Sequence, residues 1–224
     1  MLAQFFYDRV NWPFHYLFMG FFLVLGLFLF WRMRREARGW ANVAEEMGLI
    51  FQEKASERMV PLLRVFDLFR NGHISQATQV LNGTYQGWQI HAFNWFFRAD
   101  ASLTAVRGGF ACVVVELKGK WKPIRLFPET FDNFLSSLDP DRVVLGPDAF
   151  ATRYRIQCRG RGIAERVFHG AMIEKLMAEP DLLLSIEGDL MLIARVGEIM
   201  PENVQTEIER VIALAGLIPA KVSS

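Results

Sequence analysis

The sequence predicts an α+β fold: a single N-terminal transmembrane helix followed by one mixed domain with a mainly antiparallel sheet and packed helices. Three observations carry this reading. Phe14–Trp31, FHYLFMGFFLVLGLFLFW, runs for eighteen residues without a formally charged side chain. After residue 76 the pattern changes to alternation, and β-branched and aromatic residues take over. The strand-like runs come in pairs with helices interspersed irregularly, which argues for antiparallel sheet rather than a doubly wound parallel one.

A helix rises about 1.5 Å per residue, so a hydrocarbon core of about 30 Å needs about 20 mostly apolar residues. Phe14–Trp31 reaches that length with Trp12 and Pro13. Trp12, Tyr16 and Trp31 stand near the two ends, where amphipathic rings settle at the headgroup level. Arg32, Arg34, Arg35 and Arg38 crowd the far end, while the near end has only Asp8 and Arg9. The positive-inside bias makes residues 1–13 a short extracytoplasmic N-terminus and 14–31 the transmembrane helix. Residues 32–39 become a basic juxtamembrane segment and 40–224 a cytosolic α+β domain. The expected location is the bacterial inner membrane, crossed once. A cleaved signal peptide would carry its charge ahead of the apolar run and a small-residue cleavage site behind it. A core helix would show a polar face.

Further elements follow in order. Trp40–Met47 continues as a short amphipathic helix stopped by Gly48. Residues 49–53, LIFQE, form a strand. Met59, Leu62, Leu63, Phe66 and Phe69 recur at helical spacing across residues 57–69, with Pro61 near the start, where a missing N–H costs least. Ala77–Tyr85 and Trp88–Phe97 are two long strands of equal length if the turn lies at Gln86-Gly87; Asn82-Gly83 is the competing hairpin dipeptide. Phe110–Leu117 is a strand, residues 129–138 a helix after Pro128, and residues 142–145 a short strand. A helical turn at Asp148–Thr152 leads into the strand Tyr154–Cys158. Ile163–Ala178 reads as one helix. Residues 182–186 and 190–196 flank Glu187-Gly188-Asp189 as a hairpin. Pro201–Leu217 closes the chain as a helix with Val204, Ile208, Val211, Ile212 and Ala215 inward.

Composition narrows the function. Residues 39–224 hold 20 Lys+Arg and 22 Asp+Glu, a balance of −2. A dedicated nucleic-acid binder shows a basic excess. The chain has two cysteines, Cys112 and Cys158. A reducing cytoplasm leaves both as thiols, and Cys112, inside the apolar run FACVVVEL, behaves as a small hydrophobe. His73, His91 and His169 are scattered and no C-x-x-C or H-x-x-x-H occurs, so no metal is expected. Gly160-Arg161-Gly162 lies between a strand and a helix, but Glu165 replaces the third glycine of a dinucleotide fingerprint and would repel phosphate. No G-x-S-x-G nucleophile elbow is present. No cofactor is expected and no catalytic residue is assigned.

Two basic clusters remain. Lys118, Lys120, Lys122 and Arg125 surround Trp121 in KGKWKPIR, and Arg153, Arg155, Arg159, Arg161 and Arg166 form the second. Alternating charges along a strand ordinarily mark its solvent face. The functional alternative is contact with anionic headgroups or an acidic partner, Trp121 dipping into the interface.

The order of pieces FDLFRNGH (66–73), VLNGTYQGWQIHAFNW (80–95), RLFPETFDNFL (125–135), DAFATRY (148–154) and LLLSIEGDLMLIARV (182–196) resembles a bacterial family to which no activity is assigned. The resemblance implies one N-terminal span and a single cytosolic α+β domain. It also implies an acidic residue before the aromatic in the second strand, where this chain has Asn94-Trp95. The expected role is a membrane-anchored, non-enzymatic interaction protein, an accessory or structural subunit of an inner-membrane complex, with the bilayer and membrane proteins as partners. The alternatives are a peripheral module reading anionic lipid surfaces and an enzyme acting on an envelope substrate.

Overall fold

The structure, a computed structural model, describes residues 2–70, 74–98, 107–129, 142–179 and 181–219. Two compact units divide the chain, Met1–Asn42 and Val43–Ser224. Helix α1, Leu2–Met47, opens it and ends at Gly48, whose φ of +67° an L side chain rarely adopts. The apolar side chains described along α1, Tyr16 to Trp31, are all open, with Leu17 at 74% exposure and Leu25 at 38%. Among the described residues no helix is long and apolar enough to cross a membrane. The sixteen residues of that run make about 24 Å of helix, short of about 30 Å of hydrocarbon.

The second unit is α+β with a mainly antiparallel sheet. After strand β1, Ile50–Lys54, come a 3-10 turn at Glu57–Met59, the short helix α2, Val60–Val65, and a second 3-10 turn at Asp67–Arg70. The single helix expected over 57–69 is therefore broken. Phe66 is extended, and the break lets Met59, Leu63, Phe66, Leu68 and Phe69 all face one apolar cluster, which one helical stripe could not do. Strands β2, Ile74–Tyr85, and β3, Trp88–Arg98, form the hairpin at Gln86-Gly87. Both turn residues have positive φ, +50° and +79°, as a two-residue turn matched to strand twist requires. Asn82-Gly83 lies inside the ladder instead.

Strand β4, Arg107–Pro128, is 22 residues long, far beyond the 110–117 expected. After it come β5, Arg142–Val143, helix α3, Asp148–Arg153, and β6, Tyr154–Cys158. Helices α4, Arg161–Val167, and α5, Gly170–Ala178, replace the one helix expected over 163–178. His169 is extended between them, so Ala164, Val167 and Phe168 bury from one segment and Met172 and Leu176 from the next. Strand β7, Leu183–Val196, and helix α6, Val204–Gly216, complete the described elements. The inward residues expected of α6 are all buried, although it starts three residues after Pro201. The helix expected over 129–138 falls largely outside the described residues.

The expected hairpin at Glu187-Gly188-Asp189 is also corrected. Residues 183–196 form one strand, and its partner on both sides of Gly188 is β4. The sheet runs β1-β2-β3-β4-β6-β5, with β7 beside β4. The first half of β4 lies between β3 and β7, the second half between β6 and β7. Phe110, Cys112 and Val114 of β4, Phe93 and Trp95 of β3, and Leu192 and Ala194 of β7 share a cluster with α2 and its flanking turns. Alternation sends Val113, Val115, Ile90 and Ala92 to the other face, and α6 packs on β4 and β3. Burial on both faces explains why Cys112–Val115 reads as a continuous apolar run.

Two details lock this sheet. Gln79 and Val80 of β2 stand opposite Phe93 alone, a bulge with Gln79 at φ +47°. Across it Asn94, 2% exposed, accepts from the Ile199 N–H at 2.7 Å through Oδ1 and donates to the Ile199 carbonyl at 3.0 Å through Nδ2. This amide pins the connection from β7 to α6. A carboxylate could accept but not donate, which is a physical reason for asparagine where the family resemblance implies an acid.

Gly108 lies under the Phe97 ring, and a Cβ there would overlap ring carbons. Gly108→Ala is expected to cost about 1–3 kcal/mol through overpacking. Gly109→Ala, whose Cβ would meet Phe96 at 3.3 Å, should cost less; urea denaturation of the detergent-solubilised chain measures both. Asn94→Asp is expected to cost about 1–3 kcal/mol at neutral pH from the lost donor and unpaired buried oxygen. Burial raises the folded-state pKa of such an acid, so its penalty should shrink as pH falls toward the unfolded carboxyl value and the protonated acid regains a donor. Denaturation midpoints across that range check the sign.

Candidate functional site

The β4–β7 ladder is interrupted once on a large scale. Glu116 pairs with Leu190, Trp121 with Gly188 and Ile124 with Ile186. Eight steps along β4 therefore match four along β7: three extra residues of β4 fall before the Trp121–Gly188 pair and one after it, and Lys118–Pro123 arches around that pair. Its chemistry follows from the sequence. Gly119 supplies φ +103°, Gly188 opposite Trp121 supplies φ +65°, and Pro123 has no N–H to give the ladder.

The arch separates its residues sharply. Leu117, Trp121 and Ile124 are buried, whereas Lys118, Lys120 and Lys122 are exposed. Trp121 is 8% exposed and roots the arch in the protein, so the indole expected to touch an interface is not at the surface. Arg125, grouped with the lysines in the sequence, has a different task. Its guanidinium reaches Asp67 at 2.5 Å and Glu187 at 2.9 Å, and Nε also donates to Glu187 at 3.3 Å. It ties the turn after α2 to β4 and β7 beside a small pocket lined by Phe66, Leu68, Phe127 and Ser185. Asp67 and Glu187 as its partners were not visible in sequence, because they lie 58 and 62 positions away.

The second basic cluster is consumed internally. Arg153 binds Asp181 at 2.9 Å and donates to the carbonyls of Met177 and Glu179. Arg155 binds Glu129 at 2.7 Å and holds that carboxyl below its ordinary pKa. Arg161 pairs with Glu165 one turn on, and Arg166 donates to the Gly162 carbonyl. Glu165, whose carboxylate the sequence places where it would repel phosphate, pairs with Arg161 at the surface.

A third grouping escaped the sequence reading. Arg195 of β7 and Arg210 of α6 each bind both Glu179 and Glu207, a closed ring with N–O distances from 2.7 to 3.4 Å. Only Glu207–Arg210, three apart on one helix, could have been found from spacing. Arg195 and Glu179 are 14% and 10% exposed, so both charges depend on each other. The ring borders an open cleft of about 520 Å³ with Asp181, Glu198, Ile199 and Asn203. Its two positive and two negative charges neutralise one another, which suits a clamp between β7 and α6 better than a ligand site.

The remaining expected positions are placed as follows. Tyr16 and Trp31 are 58% and 59% exposed, and Arg34, Arg35 and Arg38 are exposed. Arg34 folds over the Phe30 ring at 5.1 Å and Arg35 over Trp31 at 5.6 Å. The side chains of Trp12 and Arg32 lie outside the described set. Cys112 and Cys158 are buried free thiols, and burial pushes the Cys112 thiol well up from its ordinary pKa. Among the described residues no three His, Cys, Asp or Glu side chains converge to hold a metal ion. The arch presents three lysines outward: Lys118, Lys120 and Lys122 are exposed, and the ion pairs described above all use arginine and include none of them.

No protein-family model matches the chain, and no curated protein matches it. Its structure is similar to the crystal structure of the mycobacterial trehalose monomycolate transport factor A, TtfA. The TM-score is 0.55 with 13% identity, covering 83% of this chain and 97% of that chain. At that identity the likeness is one of fold.

Removing one member of the ring should be costly. Glu179→Gln leaves Arg195 and Arg210 sharing Glu207 alone and is expected to lower stability by about 1–3 kcal/mol. Arg161→Gln, at an exposed pair, should change it by no more than about 0.5 kcal/mol. Chemical denaturation of the two variants side by side reads the difference.

Proposed function

We propose that this chain is a membrane-anchored, non-enzymatic interaction protein, an accessory or structural subunit of an inner-membrane complex in the bacterial envelope. The observation that carries the proposal is the outward-facing apolar surface of α1 from Tyr16 to Trp31. Sixteen such residues in a row would be strongly disfavoured in water and need lipid or protein cover. The sequence extends the run to Phe14, and Pro13 and Trp12 bring it to spanning length. In this reading Trp12, Tyr16 and Trp31 sit at the two interfaces. Arg32, Arg34, Arg35 and Arg38 hold the domain on the cytoplasmic side, with the N-terminus outside.

The domain itself supports an interaction role. Arg125, Arg153, Arg155, Arg195 and Arg210 are each paired with carboxylates within the fold, so these charges fasten its elements together. The fold likeness to a mycobacterial trehalose monomycolate transport factor is compatible with an accessory role. The bacterial family that the sequence resembles has the same order, one span and then one domain.

Mild-detergent extraction is expected to co-purify the chain with membrane proteins in fixed stoichiometry; a lone monomer under several gentle conditions would overturn the subunit reading. Val24→Arg with Leu25→Arg should move the chain out of alkaline-washed membranes, since each arginine costs about 2.5–3.5 kcal/mol at a helix centre. Retention of that double variant would overturn the anchor.

A further inference from the structure

We infer that the β4 arch is a headgroup-docking surface: Lys118, Lys120 and Lys122 hold the domain against the phosphate groups of an anionic bilayer. The inference rests on the anchored reading above and names the partner of the arch.

Three observations carry it. The first is a division of labour between cations. Arg125, Arg153, Arg155, Arg161, Arg195 and Arg210 are each tied to carboxylates inside the domain. The arch lysines, which are compact point charges on flexible stems, are tied to nothing among the described residues. Arginine suits fixed bidentate pairing, whereas lysine suits diffuse attraction to many phosphates.

The second is placement. Lys118, Lys120 and Lys122 are all exposed, as are Gly119 and Pro123 of the same stretch. The extra residues fall on either side of the Trp121–Gly188 pair, and buried Leu117, Trp121 and Ile124 hold the base of the arch.

The third separates lipid from a protein partner. Protein interfaces centre on apolar and aromatic residues and are depleted in lysine. Among residues 117–124 no large apolar side chain is exposed. A charged tip without an apolar centre fits a field of headgroups, which needs no shape complementarity.

The test uses the full chain in nanodiscs of phosphatidylcholine alone and of phosphatidylcholine mixed with phosphatidylglycerol. Amine acylation of each lysine is read by mass spectrometry, with exposed Lys54 and Lys175 as internal references. Protection of Lys118, Lys120 and Lys122 in the anionic discs alone, reversed by high salt, is the expected result. One lysine near such a surface strengthens binding on the order of fivefold, so Lys118→Gln/Lys120→Gln/Lys122→Gln should weaken docking about a hundredfold. All three positions are exposed, so the variant should keep its fold, which circular dichroism checks. Equal reactivity in both discs overturns the inference. Protection that ignores lipid charge and appears only when membrane proteins are added also overturns it, in favour of an acidic protein partner. A chain that fails to enter discs overturns the anchor instead. Sedimentation with the same anionic vesicles then decides the arch: lysine-dependent pelleting supports it and no pelleting overturns it.

Discussion

The pairing of β4 with β7 is the constraint on which the second unit depends. Neither strand forms a hairpin of its own; each needs the other along almost its whole length. β4 also carries β3 on one half and β6 on the other, so two groups of strands are spliced through a single chain segment. A strand placed this way must be apolar on both faces, and Cys112 to Val115 are buried accordingly. The helices then follow from the sheet. α2 and its flanking turns cover one face, and α6 covers the other through Val204, Ile208 and Val211. Asn94 joins sheet and α6 connection with two hydrogen bonds that only an amide can make together.

Charge in this unit is sorted by burial. Arginines sit where two or more carboxylates or carbonyls can surround them, as Arg153 and Arg195 do. The desolvation cost of such groups is offset only by full pairing, so these clusters act as fasteners between elements. Lysines stay outside, where water solvates them and nothing in the described fold competes for them. A near-zero balance for the whole domain therefore conceals an outward positive tip on β4. Net charge alone would have missed it, because the sum treats a saturated arginine and a free lysine alike.

The same physics links the two units without reference to their arrangement. An apolar helical surface is satisfied by hydrocarbon, and the arginines at its end are satisfied by the headgroup region. Arg34 and Arg35 already lie over aromatic rings, which lets a cation stay close to an apolar surface. An anionic leaflet would meet both this collar and any lysine-tipped surface brought near it.

Local signals were legible wherever local chemistry decides. Gln86-Gly87 marks its turn because both residues must take positive φ, and Tyr154–Cys158 and α6 are readable from alternation and helical spacing. The sequence by itself determined the α+β class, the apolar N-terminal run with its arginine collar, and which lysines and arginines cluster. Only the tertiary structure decided what each charge does. Glu187-Gly188-Asp189 carries turn residues yet stays in a strand, because β4 arches around it rather than β7 folding back. Arg125 and the lysines before it look alike in sequence, but Asp67 and Glu187 claim the arginine. The reason is common to both cases: hydrogen-bond partners and counter-ions come from residues dozens of positions away, and no local pattern encodes which of them will arrive.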